Sequence, residues 1–144
     1  RARASENALA IECDSVGEVT AYVEPFQIHQ ALLNLLANAM DAATPHSTLR
    51  VGYRTGPSGG VQFRVENSGT PIPETFLSHL FEPFFTTKPR GTGLGLAIAQ
   101  KTAQAHGGRL FLDENLPGNI RFVIDLPGPE HPETGGKGKP WPAY

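Results

Sequence analysis

Residues Phe26 to Ala43 carry two different faces, and that stretch constrains the fold more than any other. Ile28, Ala31, Leu32, Leu35, Leu36, Ala39 and Ala43 recur at helical spacing and make one broad apolar face. A helix of this kind is stable only when that face is covered. The flanks supply the cover. Ala8 to Cys13, Val19 to Val23, Leu49 to Thr55, Val61 to Val65, Arg109 to Leu112 and Ile120 to Leu126 are short apolar runs of strand length, broken by turn residues. Gly56-Pro57-Ser58-Gly59-Gly60 predicts a hairpin between the third and fourth of these runs, and 115–119 a loop between the last two. A second helix is expected from Leu94 to His106, stopped by Gly107-Gly108, and a short one from Glu74 to Leu80. One α/β domain over residues 1–126 accounts for these elements. Residues 127–144, dense in Gly and Pro, read as a poorly ordered tail.

Composition narrows the function. The chain has 144 residues and a formal charge of −2, which argues against a nucleic-acid footprint. Its single cysteine, Cys13, leaves no internal disulfide and no CxxC metal site. No apolar run reaches the ~18 residues of a membrane span. The opening Arg1-Ala2-Arg3-Ala4, without Met, reads as internal to a longer protein.

The polar side of the first helix is unusual. Gln27, Gln30, Asn34, Asn38 and Asp41 form a stripe beside the apolar face, where solvated helices normally carry Glu, Lys and Arg. Asparagine is a poor helix former, so two of them four residues apart need a reason. Amide oxygens suit a hard cation and amide NH₂ groups suit phosphate; an ordinary polar surface is the competing reading. Gly91-Thr92-Gly93-Leu94-Gly95-Leu96 opens the later helix. Glycines there let backbone N–H groups approach phosphate at a helix N-terminus, although neither the P-loop nor the dinucleotide spacing is present. Asn67-Ser68-Gly69-Thr70-Pro71-Ile72-Pro73 follows a strand. It could present Asn67 to a base edge and clear space at Gly69, or it is a plain turn. Phe81-Glu82-Pro83-Phe84-Phe85-Thr86-Thr87-Lys88 places three phenylalanines in a loop, as a core plug or the anchor of a lid.

In this order the four phrases resemble the N, G1, F and G2 boxes of the catalytic, ATP-binding domain of two-component sensor histidine kinases, most of all the nitrogen-regulation type. That domain belongs to the nucleotide-binding superfamily of gyrase, heat-shock chaperones and mismatch-repair proteins. The resemblance implies a two-layer α/β sandwich of Bergerat type, with a mixed sheet backed by three helices and a mobile ATP lid. It implies ATP and Mg²⁺ as ligands, with Asn38 on the metal. Asn34 and Lys88 would contact phosphate and serve catalysis. Asp41, Asn67, Gly69, Ile72, Phe84, Thr87, Gly91, Thr92, Gly93, Leu94, Gly95 and Leu96 would complete the nucleotide site. Asn67 stands where the family has an Asp, and Pro71 replaces a second glycine.

The implied activity is transfer of the γ-phosphoryl group to a histidine on a separate dimerisation and histidine-phosphotransfer domain, with a response regulator as indirect partner. The chain lacks the segment that bears this histidine; His29, His46, His79, His106 and His131 are structural or surface residues. The related ATPases place a general-base Glu four residues before the metal-binding Asn. Here that position is Asn34, which cannot take a proton at neutral pH, so transfer is expected rather than hydrolysis. The alternatives are a non-catalytic nucleotide-binding signalling module and an anti-sigma-factor-type serine kinase. The domain is expected in the cytoplasm without membrane contact of its own, whether its parent is soluble or anchored.

Overall fold

The computed structural model describes residues 8–15, 17–57, 59–86 and 92–128. Its elements run β1 (Ala10–Ser15), α1 (Pro25–Ala42), β2 (Thr48–Thr55), β3 (Val61–Asn67), α2 (Glu74–Leu77), α3 (Gly95–Ala105), β4 (Arg109–Leu116) and β5 (Asn119–Leu126). The strands form one sheet in the order β1-β2-β3-β5-β4. The β1–β2 pair is parallel and the others are antiparallel, so the sheet is mixed as expected.

Helices cover one face only. Ile28, Ala31, Leu35 and Ala39 of α1 are buried, as are Ala97, Ala99 and Ala103 of α3. They close a single core with Leu49, Val61, Val65, Leu110, Ile120, Phe122, Ile124 and Leu126 of the sheet. Alanines on both helices let α1 and α3 pack closely. Pro25 occupies the first turn of α1, where its missing N–H costs nothing. The Glu24 carboxylate caps that turn, accepting from Phe26 N at 3.3 Å and Gln27 N at 2.7 Å.

The other face of the sheet is an ion-pair network. Arg64, its side chain wholly buried, reaches across Gly52 to Asp14 at 2.6 Å. Arg121 pairs with Glu66 at 2.8 Å and Asp113 at 3.0 Å. Burial would lower the Arg121 pKa, but these two carboxylates outweigh it and leave the pKa raised. Asp125 is fully buried. Its burial pushes the carboxyl up, and the Arg109 charge and a hydrogen bond with the Gln62 side chain oppose that shift.

Three expectations change. Val19 to Val23 is not a strand. Val19 and Ala21 still pack against the core, but the segment leaves the sheet edge for the helical layer. It arrives where Glu24 N–H donates to His106 Nε2 at 3.0 Å, at the end of α3. The expected loop at 115–119 shrinks to Pro117-Gly118, because the backbones of β4 and β5 stay paired out to Leu116 and Asn119. The short helix keeps only Glu74–Leu77; turns carry the chain from there to Phe84. Most of the tail, residues 129–144, lies outside the described residues.

Candidate nucleotide site

Each of the four boxes is placed by a different element. Asn34, Asn38 and Asp41 lie on α1, the first two half-buried and Asp41 exposed. Asn34 Nδ2 donates to Gly95 O at 3.3 Å, bridging 61 residues of sequence. The side chain of the N box therefore touches the first residue of α3. That helix has no side-chain cap: Leu94 stands at its N-cap, and its first turn holds no acidic residue. The leading N–H groups of an eleven-residue helix so arranged are a ready anion site. Just before it, Thr92 Oγ1 accepts from Leu94 N at 3.2 Å. Leu96 packs back onto the core.

The G1 box lies at the far end of the same helix. Asn67, the last residue of β3, is buried, and its Nδ2 donates to Ser68 O at 2.9 Å. One of its two amide N–H groups is thereby engaged, and its oxygen is an acceptor for a donor such as an amino group. Thr44 N–H, just past α1, donates to Ser68 O at 3.1 Å. A Cβ on Gly69 would stand 2.7 Å from the carbonyl oxygen of Ala42, so only glycine lets this loop lie against the end of α1. Ile72 packs on the core side and is bound at both backbone polar atoms by Asn115.

The F box adjoins the start of the G2 box. Phe84 N–H donates to Gly93 O at 2.8 Å. Gly93 has φ +75°, and a Cβ there would fall 2.3 Å from Phe84 C. Phe84 itself is left-handed, φ 69°, with 75% of its surface exposed. Phe85 takes the anchoring position instead, edge-on to Phe76 and stacked on His79, each at 5.6 Å. Thr87, Lys88 and Gly91 lie outside the described residues.

Asn34 thus meets the start of α3 at Gly95, and the loop from Ser68 to Ile72 lies against the end of α1; the candidate cleft is the space between these two places. The amide oxygen of Asn38 is a hard, neutral donor of the sort Mg²⁺ accepts, and the uncapped start of α3 suits phosphate, so the donor set fits a metal–nucleotide pair. Among the described residues no group of three or more His, Cys, Asp or Glu could hold a metal ion. Asn115 was not visible as a site residue in the sequence, where it falls in a Gly/Pro-marked turn.

A mixed sheet with α1 and α3 packed on one face defines a two-layer α/β sandwich. Residues 23–130 match the family described as histidine kinase-, DNA gyrase B-, and HSP90-like ATPase. The chain belongs to that family. The sensor histidine kinase ZraS of Escherichia coli K12 is 36% identical over 114 residues, covering 79% of this chain and 24% of the relative. The sensory histidine kinase/phosphatase NtrB of Rhodobacter capsulatus is 38% identical over 115 residues, covering 70% and 32%. The nucleotide-free catalytic domain of histidine kinase ThkA superposes with a TM-score of 0.72 at 30% identity, covering 88% of this chain and 84% of that one. This chain spans about a quarter to a third of these two curated relatives. Among the described residues no helix is long and apolar enough to cross a membrane.

Proposed function

We propose that this domain binds Mg-ATP and presents the γ-phosphoryl group to a histidine carried by a separate dimerisation domain of a cytoplasmic sensor-kinase assembly. The contact of Asn34 with Gly95 carries the reading, because it sets an amide stripe against an uncapped helix start. Asn38 would hold Mg²⁺, and Asn34, Thr92, Gly93, Leu94 and Gly95, with Lys88, Thr87 and Gly91, would surround the phosphates. Bound there, Mg²⁺ would neutralise phosphate charge. Asn67 would accept from the adenine amino group, with Gly69 and Ile72 against the ring and Asp41 at the rim. Phe84 would seat the lid. The side chains position and neutralise; phosphoryl transfer asks for little more. With Asn34 where a general base would sit, water is a poor acceptor.

Incubation with γ-labelled ATP tests this. The chain alone should acquire no acid-labile label. Adding the histidine-bearing dimerisation domain should label that domain, and Asn38→Ala should abolish the transfer while leaving the melting curve unchanged. Label on any histidine of this chain would overturn the assignment. A second reading, nucleotide binding without transfer, is favoured by Asn67 standing in place of the family's Asp. Mg-ATP binding with no labelling of the added domain would select it.

A further inference from the structure

Strand β4 changes face once, and the change delivers a side chain to the G1 box. Leu110 and Leu112 face the core, opposite Ile124 and Phe122. Simple alternation would put Glu114 inward next and send Asn115 outward. The register slips between Leu112 and Glu114: Leu112 pairs with Phe122, and Glu114 already pairs with Arg121. Asp113 is the extra residue of a bulge, a device that re-aims side chains. Glu114 turns outward, 3.3 Å from Arg121, and Asn115 turns inward opposite Ile120. Ile120 is in turn opposite Asn67 on β3. Two asparagines therefore flank one isoleucine, in a row across three strands at the edge of the cleft.

From that place Asn115 grips Ile72 twice. Its Oδ1 accepts from Ile72 N at 2.8 Å, and its Nδ2 donates to Ile72 O at 2.9 Å. Gly118 N–H, in the adjoining turn, donates to Gly69 O at 3.2 Å. The segment from Gly69 to Ile72 has no strand partner of its own, so these three bonds to the β4–β5 hairpin hold it on one side. The Ala42 carbonyl blocks it on the other.

We propose that Asn115 is a positioning residue for the nucleotide base: it fixes Gly69–Ile72 at the width a flat ring needs and leaves the phosphate end untouched. The inference rests on the reading that Asn67 to Ile72 borders the base. A carboxamide offers a donor and an acceptor on one rigid plane, which matches the N–H and C=O of a single residue. Asn115→Asp keeps the acceptor for Ile72 N but sets an oxygen against Ile72 O.

The test uses the full chain and two probes, Mg-ATP and Mg-tripolyphosphate, the second having no base. Asn115→Asp and Asn115→Ala should weaken Mg-ATP about tenfold, a change of about 1.4 kcal/mol. Mg-tripolyphosphate affinity should stay within twofold. Equal weakening of both probes, or of neither, overturns the proposal. Should a variant fail to fold, the unaltered chain decides. Adenosine should shift the Ile72 backbone amide and Asn115 side-chain amide resonances, and tripolyphosphate should not; the reverse pattern overturns the proposal. If the unaltered chain binds tripolyphosphate but not ATP, the base reading itself falls.

Discussion

The two rims of the cleft are built differently. The base rim, Ser68 to Ile72, is tied by Thr44, by Gly118 and twice by Asn115, and it presses on the last carbonyl of α1. At the phosphate rim, among the described residues, Phe84 N–H bonds to Gly93 O and the Asn34 side chain to Gly95 O. Phe84 keeps a left-handed backbone with the ring largely in water, an arrangement that costs about 1–2 kcal/mol and persists where function uses it. The rim proposed to read the base is continuous with the core, whereas the proposed phosphate rim turns on two backbones in the left-handed region, Phe84 and Gly93.

The largest effect that would test this contrast is Gly69→Ala. The new Cβ meets a backbone oxygen at 2.7 Å that cannot swing aside. Overpacking of this kind costs about 1–3 kcal/mol. Both the melting temperature and Mg-ATP affinity should drop, the latter more than tenfold, by calorimetry. An unchanged melt would mean the base rim is not continuous with the core. Gly93→Ala should come next and behave otherwise. It strains a φ of +75° and collides with Phe84, yet only the pivot must move. Mg-ATP binding should weaken severalfold, and global stability should fall by about 1 kcal/mol, less than in Gly69→Ala. A melt lowered as far as in Gly69→Ala would erase the distinction.

Asn67→Asp probes the reading of the base, at the cost of the bond from the Asn67 amide to Ser68 O. A charge-assisted bond to the adenine amino group exceeds a neutral one by roughly 1–1.5 kcal/mol, and desolvation of the carboxylate offsets part of this. ATP affinity should rise less than about tenfold, and preference for ATP over GTP should grow. Equal ATP/GTP ratios for the two proteins in competition binding would show that this position does not read the base.

The smallest effect lies away from both rims. Asp125 has its carboxyl pushed up by burial, so the folded state favours the protonated form. Its stabilising contribution is complete below the ordinary aspartate range and is lost as pH rises through the elevated value. Asp125→Asn should therefore stabilise the fold at pH 7, by less than about 2 kcal/mol, with the gain shrinking toward pH 4. Nucleotide binding should not change. Altered binding would show that the outer face of the sheet communicates with the cleft.

Local pattern carried much of the molecule. The apolar face of α1 and the hairpin around Gly56 to Gly60 are written in consecutive residues, and the structure places them as read. Val19 to Val23 shows the limit. Apolar alternation there is real, since Val19 and Ala21 pack inward, but pairing depends on whether a partner edge lies nearby, and His106 draws the chain to the helices instead. Asn115 was hidden for a related reason. Its facing is set by a slip in register against β5, and its partner lies 43 residues upstream. The four boxes are legible as consecutive phrases, whereas the bulge that turns Asn115 toward one of them leaves no local signature.

The strand order bears on how the chain is made. The final strand, β5, lies between β3 and β4 rather than at a margin. Until Asn119 to Leu126 emerge from the ribosome, β3 presents an open hydrogen-bonding edge, and β4 has no neighbour to pair with. The sheet cannot close by accretion from the N-terminus, and half its core, Ile120, Phe122, Ile124 and Leu126 included, arrives last. Nascent or truncated chains ending before Asn119 would expose an unpaired, strongly apolar edge, the type of surface that chaperones shield and that seeds aggregation.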